Sequence, residues 1–248
     1  MIKKEYIIIS LLVIVIIAIA LALVGTVFVD NHALGNNSQN VTAGPSRELI
    51  ANDSSEPGSV EVIRNVGNVN SPVKIAYVVG VHPLEHETHE TLVKLLPNMT
   101  NLNYNYDIYI INVTEDVGHY GDGSSDNSPG RQHGQDLAYK YVYPAILSGN
   151  YSLAVDIHSN VGAYPYQTFV FSPINEGAGE KLASDVAGNC SDISYYSPDS
   201  TTSGPYLTIP LNQNNIPAFY FEEYSFASQE VKDAHMMQLI TAIDSLQF

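Results

Sequence analysis

Val78-Val79-Gly80-Val81-His82-Pro83-Leu84-Glu85-His86 joins an apolar run to an imidazole and, three residues later, a carboxylate. The residues before it, Val73 to Val81, are apolar and β-branched, which predicts a strand buried on both faces. Pro83 suits the first turn of a helix, so Leu84 to Leu96 reads as a helix that follows the strand directly. A histidine and a glutamate at this spacing, just past a strand, can both reach one zinc ion.

Working outward, strand-like runs alternate with helical ones. Tyr106 to Val113, Tyr151 to Ile157, Gln167 to Phe171 and Ala218 to Phe221 read as strands. Gln135 to Leu147, interrupted near Pro144, Glu176 to Ala187 and Ser228 to Leu246 read as helices. The polar stretches 116–134 and 191–215 read as long loops. This alternation predicts an α/β domain with a mixed, mostly parallel sheet, in which ligands sit beyond the carboxyl ends of the strands.

Two more polar clusters fall at such ends. Asp156-Ile157-His158-Ser159 closes the run Leu153-Ala154-Val155, and Glu222-Glu223 closes Phe219-Tyr220-Phe221. His82, Glu85, a distant His158 and a further carboxylate make a set of zinc ligands plus a base. Three protein ligands leave a coordination position open for water. Asp156 and His158 share one side of a strand by its period of two, so Asp156 can orient the histidine or be a satisfied buried acid. Glu222 and Glu223 point to opposite faces if the strand continues.

The order of these pieces resembles the zinc carboxypeptidase superfamily, including its succinylglutamate desuccinylase and aspartoacylase branch. The resemblance spans about Val73 to Tyr224. It implies a single three-layer α/β domain and one zinc held by His82, Glu85 and His158. It implies that Glu222 is the general base and that a tyrosine in the loop before it contacts substrate, with Tyr206 preferred over Tyr195 and Tyr196. The family's Asn-Arg pair for a substrate carboxylate is not apparent between Glu85 and His158. The only arginine there, Arg131, is a candidate for polarising the scissile carbonyl and binding substrate. A competing pattern, His82-x-x-Glu85-His86 as an inverted zincin helix, needs His82 inside a helix, against the strand before it. His86, His89, His119 and His133 read as solvated or structural.

Composition narrows the rest. The 248 residues carry 26 Asp+Glu against 10 Lys+Arg, a formal net charge of −16, which disfavours a nucleic-acid partner. The single cysteine, Cys190, permits no intrachain disulfide and no thiolate zinc site; it reads as a small buried residue.

Lys3 and Lys4 precede an uncharged apolar run, Ile7 to Val29, long enough to span a bilayer core of about 30 Å. Residues 1–29 thus read as a transmembrane signal anchor with its N-terminus in the cytoplasm. Residues 30–59, rich in Asn, Ser and Gly, read as a flexible linker, and 60–248 as the zinc hydrolase domain, outside the cytoplasm. Asn-x-Ser/Thr sequons such as Asn98, Asn112 and Asn150 agree with export. Cleavage near Ala20-Leu21-Ala22 is the alternative, giving a secreted protein. The sequence expectation is therefore a membrane-tethered zinc hydrolase acting on a peptide or an acylated amino acid. The alternative is a cell-surface binding domain that keeps the fold without catalysis.

Overall fold

The computed structural model describes residues 44–114 and 129–248. The anchor run lies outside them, and among the described residues no helix is long and apolar enough to cross a membrane. The strands are β1 (Ser46–Asp53), β2 (Gly58–Gly67), β3 (Lys74–Val79), β4 (Asn105–Val113), β5 (Leu153–Asn160), β6 (Phe169–Phe171), β7 (Ser194–Tyr195) and β8 (Ala218–Tyr224). They form one eight-stranded sheet in the order β1-β2-β4-β3-β5-β8-β6-β7. β4, β3, β5 and β8 run parallel, and β6 pairs parallel with β7; β1, β2 and the β6–β8 pairing are antiparallel. The sheet is therefore mixed and mostly parallel, as the alternation predicted.

Helices cover both faces. They are α1 (His86–Leu95), α2 (Pro129–Leu137), α3 (Tyr143–Ser148), α4 (Ala178–Gly188), α5 (Thr208–Gln213) and α6 (Gln229–Asp244). Successive side chains of β3 enter two different cores. Ile75, Tyr77 and Val79 pack with Leu92 of α1, Val186 of α4 and Leu239 of α6. Ala76 and Val78 pack with Leu137 of α2, Ile146 of α3 and Leu211 of α5. Burial on both faces is why this strand reads as a continuous apolar run, each large side chain contributing about 1.5–3 kcal/mol.

Three departures from the sequence reading have physical causes. Residues 46–53, expected as linker, form edge strand β1, so the folded domain starts before residue 60. This strand is largely exposed, so it carries no apolar alternation to betray it. Second, α2 begins at Pro129, inside the expected loop. It runs through a π turn, Ala138–Val142, where the Tyr143 N–H reaches the Ala138 carbonyl, and Pro144 falls in the first turn of α3. A widened turn accommodates a proline that would interrupt a regular helix. Third, the expected loop 191–215 contains β7 and α5.

Two glycines bring these layers close. Gly80, just past β3, has φ +91°, and a Cβ there would lie 2.0 Å from the Ile111 carbonyl oxygen. Gly134, in α2, packs so tightly on the β3 exit that a Cβ would lie 2.2 Å from the Val81 carbonyl oxygen. That contact is backbone on backbone, so neither side can yield cheaply. Gly to Ala inside a helix ordinarily stabilises by about 1 kcal/mol. Here the clash reverses the sign, with overpacking costs of about 1–3 kcal/mol. Gly134→Ala is expected to lower the stability measured by urea denaturation; an equal or higher midpoint would refute the close approach of α2.

Candidate metal centre

β3, β5 and β8 are adjacent and parallel, so their carboxyl ends meet at one edge of the sheet. His82 follows β3 through Gly80 and Val81. Pro83–Glu85 then forms a single 3₁₀ turn leading into α1, with the Glu85 N–H bonded to the His82 carbonyl. This turn folds Glu85 back beneath His82. His158 lies near the end of β5, opposite Glu222 of β8 in the strand register.

The side chains converge on one carboxylate. His82 Nδ1 lies 3.0 Å from Glu85 Oε1, and His158 Nδ1 lies 2.9 Å from Glu85 Oε2. The Ser159 N–H donates to Glu85 Oε2 at 3.0 Å. One ligand atom from each of His82, Glu85 and His158 lies within 4.8 Å of the others. All three residues are buried, at 4, 6 and 1% exposure. Asp156 sits behind His158, its Oδ2 3.1 Å from His158 Nε2, within ion-pair range but off hydrogen-bond alignment. Asp156 thus stands where the strand period predicted. The strand before His82 and the 3₁₀ turn after it exclude the inverted zincin helix, and His86 is exposed on α1.

The electrostatics follow from burial and crowding. Burial pushes the His82 imidazole below its ordinary value, partly offset by Glu85. For His158 burial acts the same way, but Asp156 and Glu85 outweigh it and hold the imidazole well above the ordinary value. Glu85 is desolvated, yet the two imidazoles hold it well below the usual carboxylate range. Two nitrogens and a carboxylate crowded together need a shared proton or a cation between them. The donor set, two imidazoles and one carboxylate, matches a catalytic zinc centre with a fourth position open. The residues present therefore fit a zinc ion.

The centre opens into a cavity of about 550 Å³. Glu222 lines it, and its Oε2 is buried without a hydrogen-bond partner among the described residues. Burial first, then the charges of Glu85 and Asp156 against the opposing pull of His158, push its carboxyl up to about 8. Glu223 faces the other way, where it is buried against α6. His235 Nδ1 donates to it at 2.8 Å, and the Thr168 hydroxyl at 3.0 Å. Strand geometry thus turns Glu222 toward the cavity and Glu223 away from it.

Arg131 reaches the cavity from α2. One guanidinium nitrogen lies 3.8 Å from Glu85 Oε1, and another donates to the Thr202 hydroxyl at 2.9 Å. Tyr206, expected to contact substrate, is not among the cavity-lining residues. Its hydroxyl accepts from Gln132 Nε2 at 3.0 Å, bracing the helix that carries Arg131. Tyr164 and Tyr220 line the cavity instead. Tyr220 shares a β8 face with Glu222, a signal the period of two carried.

His89 was read as solvated or structural. It is buried one helical turn beyond Glu85, its Nε2 3.0 Å from the Ile157 carbonyl and 4.0 Å from Glu85 Oε2. Burial pushes it down to about 3. Cys190 is half-buried near the Gln238 carbonyl, and burial pushes its thiol up to about 11.

Several solved structures are similar to parts of this chain. Tripeptide-bound Csd4, a cell shape determinant of Helicobacter pylori, is 13% identical with a TM-score of 0.47, over 75% of this chain and 54% of its own. The mDAP-bound form of Helicobacter pylori Csd4, described as a D,L-carboxypeptidase, gives 13%, 0.46, 73% and 53%. A succinylglutamate desuccinylase/aspartoacylase from Rhodobacter sphaeroides gives 10%, 0.46, 83% and 67%. The chain spans about half the length of Csd4. No protein-family model matches the chain, and no curated protein matches its sequence.

The Glu223–His235 pair offers a check on how β8 is oriented. Glu223 stabilises the His235 imidazolium, while burial opposes it, and the balance raises the histidine above its ordinary value. The pair therefore stabilises fully below about pH 6.5, the unfolded value, and its contribution fades as pH rises through the higher folded value. The stability gap between wild type and His235→Gln, from urea melts, is expected to narrow between pH 6 and pH 9. A gap unchanged across that range would place Glu223 elsewhere.

Proposed function

We propose that this protein is a zinc-dependent hydrolase of an amide bond in a peptide, with His82, Glu85 and His158 as ligands and Glu222 as general base. The observation that carries this reading is the convergence of three buried ligand atoms at the floor of a cavity that Glu222 also lines. Bound there, zinc would lower the pKa of a water to about 7 and polarise the substrate carbonyl.

The protein's own groups supply the rest. Glu222 takes a proton from the attacking water and delivers it to the leaving amine. The Arg131 guanidinium stabilises the developing oxyanion. Asp156 holds the orientation of His158, leaving Nδ1 aimed at the centre. A domain that only bound ligands would have no use for a desolvated carboxylate on the cavity wall, so Glu222 supports the catalytic reading over the binding one. The run Ile7 to Val29 supports a membrane anchor, with the hydrolase domain outside the cytoplasm.

The full chain, solubilised in detergent, is expected to bind about one zinc per molecule by elemental analysis, and chelation should abolish cleavage of model peptides. His158→Ala should lose the metal. Glu222→Gln should keep it and lose a factor of about 10²–10⁴ in rate. Absence of zinc at that stoichiometry would sink the ligand set; a fully active Glu222→Gln variant would sink the base alone.

A further inference from the structure

The charge around the cavity restricts what can enter it. Three carboxyl groups surround the centre, on Glu85, Asp156 and Glu222. Among the described residues Arg131 is the one Lys or Arg that lines the cavity, and its guanidinium already faces Glu85 and Thr202. Other cations are committed elsewhere. Arg64 and Lys74 are tied to Asp107, Lys140 to Asp53, Lys181 to Asp185 and Lys232 to Glu87. The segment 115–128 contains four acidic residues and no Lys or Arg. Among the described residues no second Lys or Arg stands at the cavity to meet a substrate carboxylate.

The wall has a different character. Ser200, Thr201, Thr202 and Ser203 run along it, with Ser159 and Asn160 beside them. These are neutral groups that donate and accept hydrogen bonds. They match amides and hydroxyls, and they cannot repay the desolvation of a carboxylate, which costs several kcal/mol unless an opposite charge meets it.

We propose that the cavity selects an uncharged, hydrogen-bonding peptide segment, internal or capped, and discriminates against a free carboxylate beside the scissile amide. This rests on the hydrolase reading above. It predicts that the protein does not behave as a carboxypeptidase.

The test uses one acetylated tetra-alanine peptide in two forms, C-terminal amide and C-terminal acid. Binding is measured by calorimetry to the metal-free full chain, where no ion draws the acid, and cleavage is measured on the zinc-loaded chain. The amide is expected to bind at least tenfold more tightly, and the gap should narrow as salt screens the carboxylates. Ser200→Lys, at an exposed position on the wall, should improve acid binding at least threefold. Equal or tighter binding of the acid, no binding of either form, or faster cleavage of the acid would overturn the selectivity. A preserved binding preference without any zinc-dependent cleavage would instead count against the hydrolase reading.

Discussion

The structure turns on the buried carboxylate of Glu85. Burying an ionised carboxylate costs several kcal/mol unless donors meet it. Here both oxygens are met, by His82 Nδ1 on one side and by His158 Nδ1 and the Ser159 N–H on the other. Each partner comes from a different place in the chain: the β3 exit, the side chain of β5 and its backbone. Satisfying one side chain therefore fixes the distance between two strand ends and the entry angle of α1. The same partners are the ones a zinc ion would need. Glu85 holds the site together through these contacts alone.

The sheet decides which other groups can join. Asp156 and His158 lie two residues apart on β5, and Tyr220 and Glu222 lie two apart on β8. The parallel register sets Asp156 opposite Tyr220 and His158 opposite Glu222. The Tyr220 ring lies 5.3 Å from the His158 ring and stacks on Phe171, while its hydroxyl accepts from Thr208 and pairs with Ser203. A single face of two neighbouring strands thus brings His158, Asp156, Glu222 and Tyr220 together at the cavity.

How much of this was legible depends on the range of the interaction that settles each residue. His82 and Glu85 were legible because a strand, a proline and a three-residue spacing are local signals. His158 was legible because it ends an apolar run. Choosing Glu222 over Glu223 from the residues alone was not, since both follow one strand and only the β5 and α6 neighbours distinguish the faces. Tyr206 misled because it sits on a short turn with no periodicity to say where it points. His89 carried an unused signal: four residues after Glu85 on a helix puts it on the same face. β1 escaped because an exposed edge strand needs no apolar pattern, and α2 because Pro129, Gly130 and Gly134 look like loop until Gly134 is seen against Val81.

The perturbed carboxyl of Glu222 joins the two halves of the reading. With no cation at the centre, burial and two nearby acids favour its proton up to about pH 8, and a protonated acid cannot accept a proton from water. A divalent ion among His82, Glu85 and His158 changes the sign of the local field, which favours the ionised form. The ionised form is the one a general base needs. Such a dication would also offset the acid groups that face Arg131 around the cavity. Under the proposed reading His82, Glu85, His158, Glu222 and Arg131 would balance as a unit with such an ion, and any substrate charge added beyond that balance would have nothing left to meet it.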